Sequence, residues 1–196
     1  RLQHAIFGLL TEVGELIHGV RTKNVSNILE ECGDAWWYAG IGIDVTCTAE
    51  LSAFRIAGFE TRIANFEANI SSESDSPSTL SLDALFLDFV VRGTDALDIC
   101  KRATYYREPL DVGRAIACVN DLVDSLVRIT LAVVRQEMDA KDMTGADIFT
   151  AVWRANINKP HHKRFKGAKF SESAALNRAV EAEQETIEAD AAALTE

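Results

Sequence analysis

Two acidic pairs interrupt apolar stretches near the start of the chain, in Thr11-Glu12-Val13-Gly14-Glu15-Leu16 and in Asn27-Ile28-Leu29-Glu30-Glu31-Cys32-Gly33-Asp34-Ala35-Trp36-Trp37-Tyr38. On a helix, residues i and i+3 share a face with Cβ atoms about 5–6 Å apart. Glu12 with Glu15, and Glu31 with Asp34, are therefore two carboxylate pairs on consecutive helices. Ile6, Leu9, Leu10 and Leu16 flank the first pair; Ile28, Leu29, Trp36 and Trp37 flank the second. Carboxylates so placed are expected to be partly buried, and burying like charges is costly unless something compensates. Either pair alone would read as a solvated helix face. Two such pairs in apolar surroundings favour one shared site, held by two helices that face each other, with a hard cation such as Mg2+ or Mn2+ as compensator.

The rest of the chain has the same helical period. Prolines number three, and strand-type alternation is scarce, so the expected fold class is all-α. A first helix is expected over about 2–20, with Ile6, Leu9, Leu10, Val13, Leu16, Ile17 and Val20 on its apolar face. A second follows over about 26–46, capped by Ser26 or Asn24. Phe59, Ile63, Phe66 and Ile70 mark an amphipathic helix over about 49–70. The polar run 71–80 is Ser-rich and contains Pro77, which makes it the clearest linker. Helices over about 81–104 and 110–138 follow, then one from about 146, and an Ala- and Glu-rich helix or tail over 171–196.

Thr94-Asp95-Ala96-Leu97-Asp98-Ile99 parallels the first acidic pair, and Asn120-Asp121-Leu122-Val123-Asp124 parallels the second. The chain thus reads as a duplicated helix hairpin that assembles a four-helix core with additional helices. One domain is expected over 1–170, in halves 1–70 and 81–170. The second-half acids are all Asp, one methylene shorter, and that half is expected to have lost its metal and kept a supporting role.

A net charge of −10 argues against a nucleic-acid polymer as partner, because such binding relies on Lys and Arg neutralising phosphates. A small, metal-chelated phosphate ligand remains compatible. Cys32, Cys47, Cys100 and Cys118 have neither Cys-x-x-Cys spacing nor a zinc-like histidine arrangement, so they are expected to be reduced core residues in an intracellular protein. No apolar run in the sequence is long enough to span a bilayer, and a signal peptide is not expected. Because Arg1 stands first, the natural start is expected to lie before it. Two windows could supply cations to a phosphate: Lys101-Arg102 with Tyr105-Tyr106-Arg107, and the basic stretch Arg154 to Lys166 that holds Asn156, Lys159 and Arg164. Trp37, three residues past Asp34, could line a base pocket.

With these residues in hand, the chain resembles the all-α nucleoside triphosphate pyrophosphohydrolases, the MazG-like proteins and the dimeric dUTPases. The resemblance lies in His4-Ala5, Gly8 to Leu16, Glu30 to Tyr38, Asn156-Ile157-x-Lys159, Arg164-Phe165 and Gly167-x-x-Phe170. It implies a MazG-like four-helix core and hydrolysis of a nucleoside triphosphate to the monophosphate and pyrophosphate. On that reading Glu12, Glu15, Glu31 and Asp34 hold Mg2+ or Mn2+, and Glu12 orients the water. Asn156, Lys159 and Arg164, with Lys101, contact phosphate; His4 approaches the base and Trp37 stacks on it. A cytoplasmic homodimer or higher homo-oligomer is expected. Phosphoribosyl-ATP pyrophosphohydrolase and a catalytically inactive nucleotide-binding regulator are the rival readings. A ferritin-like di-iron protein is disfavoured because its Glu-x-x-His pairs are absent.

Overall fold

The computed structural model describes residues 1–46, 81–138, 143–158, 165–166 and 169–170. The helix expected over 49–70 and the linker over 71–80 lie outside these residues, as does the segment from 171 onward. Among the described residues the architecture is all-α, with five helices: α1 (Leu2–Thr22), α2 (Val25–Thr46), α3 (Leu82–Tyr105), α4 (Val112–Glu137) and α5 (Gly145–Asn158). A two-residue antiparallel ladder pairs Phe165–Lys166 with Lys169–Phe170, in register Phe165 to Phe170. Its strands are too short to show as alternation in the sequence.

The helix ends follow from local chemistry. Lys23 closes α1 in the left-handed conformation (φ 56°, ψ 34°), with its N–H directed to the carbonyls of Gly19 and Val20. Asn24 then starts α2: its Oδ1 accepts from Asn27 N at 3.2 Å and its carbonyl from Ile28 N at 3.0 Å, which settles the capping choice for Asn24. Ser81 caps α3 by accepting from Ala84 N, and Asp111 caps α4 by accepting from Arg114 N. Thr144 caps α5, taking the N–H of Asp147 at 3.2 Å while donating to its carboxylate at 2.7 Å.

The apolar stripes of four helices meet in one core. Val13, Leu16, Ile28, Leu29, Phe89, Leu122, Leu126 and Ile129 are buried within it. Helices α1 and α2 pack most extensively as a hairpin, α3 and α4 form the second hairpin, α1 lies against α3 and α2 against α4. A duplicated hairpin folded about a twofold axis would give these contacts. The α1–α3 crossing fits the same symmetry. With Glu12 aligned to Asp95, Leu10 aligns to Gly93, and a Cβ added at Gly93 would lie 2.4 Å from Leu10 Cδ2. Helix α5 covers α2 and α4, where the Phe149 ring meets Trp36 edge-on at 5.1 Å. Trp36 also donates from Nε1 to Thr130 Oγ1 at 3.0 Å, so this tryptophan joins α2 to both neighbours.

Candidate metal centre

Glu12 projects from α1, and Glu31 and Asp34 project from α2. One ligand oxygen from each lies within 4.8 Å of the others. The two-residue connection Lys23-Asn24 makes this possible by turning α2 back along α1, while the apolar stripes of both helices set their faces together. Glu31 is the deepest of the three, only 5% exposed. Burial is the main force that pushes its carboxyl up to about 9. The hydrogen bond with Glu12 comes next, and the negative charges of Glu12, Glu30 and Glu15 add to it. Like charges held this close share a proton instead of ionising together.

Glu15 stands apart. It is exposed on α1 and outside the 4.8 Å cluster, although its charge still reaches Glu31. Three residues of helix turn through about 300°, so positions three apart still diverge by roughly 60°. That divergence carries Glu15 toward solvent. The donor set of Glu12, Glu31 and Asp34 suits a hard divalent cation, since all three offer anionic oxygens and the buried member lies in a field of negative charge.

Tyr38, one turn past Asp34, meets His4, about two turns before Glu12, edge-on at 5.4 Å between ring centroids. Tyr38 lies directly on α1 because residue 8 has no side chain: a Cβ at Gly8 would come within 2.2 Å of ring atoms Cδ1 and Cε1. Tyr38 also lines a small apolar recess with Ala5, Leu9, Gly42, Val119 and Leu122. Tyr38 and Gly8 were not among the expected site residues. Their signal in the sequence was a glycine inside a helix, four residues before Glu12, where it costs about 1 kcal/mol relative to Ala and so calls for a packing reason. Trp37 is 43% exposed, leaving its ring open to solvent beside Asp34.

The remaining expected contacts are spread more widely. Lys101 sits near the end of α3, with Nζ 3.7 Å from Asp98 Oδ1 and 5.8 Å from the centroid of Tyr106. Asn156 falls on the last turn of α5, with its side chain outside the described residues, and Lys159 and Arg164 lie outside them altogether. Cys32, adjacent to Glu31, is fully buried; burial and the Glu31 charge push its thiol up to about 12, against a smaller opposing effect of the Thr130 hydroxyl. No described helix is long and apolar enough to cross a membrane. No protein-family model, curated protein or solved structure matches the chain.

Proposed function

We propose that the chain is a metal-dependent nucleoside triphosphate pyrophosphohydrolase of the all-α type, releasing pyrophosphate and a nucleoside monophosphate. The observation that carries this reading is the convergence of Glu12, Glu31 and Asp34, with the Glu31 carboxyl buried in the negative field of Glu12, Glu30 and Glu15. Those three residues would hold the ion, and Glu15, outside the cluster, would add only its negative charge. A bound Mg2+ or Mn2+ supplies the positive charge that lets a polyphosphate approach an acidic site and acidifies nearby water.

The residues of the chain do the rest. Glu12, less buried than Glu31, takes the proton of the attacking water as it adds to phosphorus. Glu31 is fixed by its apolar surroundings and orients Glu12 through their hydrogen bond. The His4–Tyr38 pair forms the wall on one side of the carboxylates, and the exposed face of Trp37 offers a stacking surface for a base. Asn156, Lys159 and Arg164 are the proposed phosphate contacts, and Lys101 the proposed additional one. Exposed Phe7, Leu87, Val90 and Val91 on α1 and α3 support a homodimer. The buried thiols of Cys32 and Cys100 fit a reducing, cytoplasmic setting.

The test is pyrophosphate release from a panel of canonical ribo- and deoxyribonucleoside triphosphates with Mg2+ or Mn2+, comparing the wild type with Glu31→Gln. Metal-dependent release that the substitution abolishes is the expected result. A folded protein that binds nucleotide but releases nothing would be a regulator instead.

A further inference from the structure

The second hairpin repeats the acidic pattern of the first, but it adds an acid, Asp88, at the position of Ala5, and it sets guanidinium groups beside Asp88, Asp98 and Asp121. Asp88 accepts from Arg92 Nε at 2.8 Å, from Ser125 Oγ at 3.0 Å and from Arg128 Nη2 at 3.4 Å. Arg92 Nη1 also lies 3.8 Å from Asp121 Oδ1, and Arg128 Nη2 donates to Ser125 Oγ at 3.3 Å. Asp98 is flanked by Lys101, Arg102 and Arg114, each between 3.7 and 3.9 Å away.

Aligning the hairpins shows where these cations come from. With Glu12 on Asp95 and Glu31 on Asp121, Arg92 occupies the position of Leu9, and Arg128 that of Tyr38. Leu9 is buried core in the first hairpin, and Tyr38 lies on Gly8. The electrostatic outcome differs accordingly. Among the described residues the charges acting on Glu31 are negative, whereas Asp88 is held below its ordinary range chiefly by the hydrogen bond from Arg92. Arg92 is raised in turn, first by Asp88 and further by Asp121 and Asp124. The close three-carboxylate cluster found among the described residues is that of the first hairpin.

We infer that Arg92, braced by Arg128, is the resident cation of the second hairpin, standing where the first hairpin is built to take a metal ion, so that the chain carries its metal centre in the first hairpin alone. The inference deepens the metal reading and rests on it for the contrast between the halves. Its own content is that Asp88, Asp98 and Asp121 already have cations beside them. A fixed guanidinium meets carboxylates through directed N–H donors, needs no ion from solution and leaves no open position for a substrate. The second hairpin is then a scaffold for the first.

Two measurements test this in the full chain. In EDTA, Asp88→Asn and Arg92→Met should each lower the melting temperature by about 2–4 °C, and the double variant should lose less than the sum of the two. In Mn2+, followed by the electron paramagnetic resonance of the free ion, Asp121→Asn should bind as the wild type does, while its first-half counterpart Glu31→Gln should bind at least about tenfold more weakly. Loss of bound Mn2+ in Asp121→Asn would overturn the inference. So would a melting temperature that rises in Asp88→Asn, the response expected of an uncompensated acid. If the wild type binds no Mn2+, the metal reading of the first hairpin fails, and the melting temperatures alone decide whether Arg92 compensates the second.

Discussion

Leu10 and Gly93 touch where α1 crosses α3, and they occupy equivalent positions in the two hairpins. A position that meets its own counterpart is what a twofold axis between the helices would produce. The pair also shows how the two halves, similar in pattern, differ in volume: one contributes a large side chain and the other none. A Cβ at Gly93 would lie 2.4 Å from the Leu10 Cδ2 tip, but 3.4 Å or more from its other carbons. A half-buried leucine tip can turn aside, and alanine gains about 1 kcal/mol over glycine in a helix. Gly93→Ala should therefore stay within about 1 kcal/mol of the wild type in urea unfolding.

Gly8→Ala should behave differently. Its Cβ would meet three atoms of the Tyr38 ring at 2.2 to 2.5 Å, and a ring cannot fold away as a leucine tip can. Moving Tyr38 would disturb both His4 and the apolar recess. A loss of about 1–3 kcal/mol is expected in spite of the gain in helix propensity. Tyr38→Ala in the same background should recover part of it, which a thermal melt of the double variant would show.

Glu31 makes the metal-free protein sensitive to base. Its carboxyl, raised from 4.5 to about 9, stays protonated in the fold across a range where the unfolded chain has ionised. The folded state then holds the extra proton. The Glu31 contribution to stability is thus fully present below about 4.5, is lost as pH rises at up to about 1.4 kcal/mol per unit, and is gone above about 9. Melts in EDTA between pH 6 and 9 should show this decline. Glu31→Gln should flatten it and melt higher than the wild type at pH 8. Divalent metal should reverse the order, because only the wild type gains the ion.

Lys23 sets two effects against each other. Its left-handed backbone costs about 1–2 kcal/mol in a non-glycine residue, yet its Nζ lies 2.5 Å from Glu137 Oε2. The carboxylate is 4% exposed and the ammonium 71%. Lys23→Met keeps the backbone cost and removes the pair, so it should destabilise by about 1–2 kcal/mol. Lys23→Gly relieves the backbone while losing the same pair and should fall between Lys23→Met and the wild type.

The sequence carried much of the fold. The apolar period placed α1 over about 2–20, where the helix spans Leu2–Thr22, and α2 over about 26–46, where it spans Val25–Thr46. Periodicity is strong there because each helix buries one continuous stripe. The acidic spacing likewise pointed to Glu12, Glu31 and Asp34. What it could not supply was depth. Glu15 has the same three-residue spacing as Asp34 and turns outward, because a helix face is an arc and only the crossing of α1 with α2 fixes which part of the arc is covered. Arg92 and Arg128 were hidden for a related reason. They lie outside the acidic motif itself, and only the packing of α3 on α4 brings them to Asp88.

The contact of Trp36 with Thr130 and Phe149 makes α5 visible to light. Trp36 is packed among α2, α4 and α5, whereas Trp37 and Trp153 are open to solvent. Acrylamide should quench the two exposed indoles readily and leave a blue-shifted component from Trp36. If α5 lifts from the bundle before the hairpins separate, that component should shift to the red in an early step of unfolding, while the helical circular dichroism signal still stands. One indole would then report whether the fifth helix melts with the bundle or ahead of it.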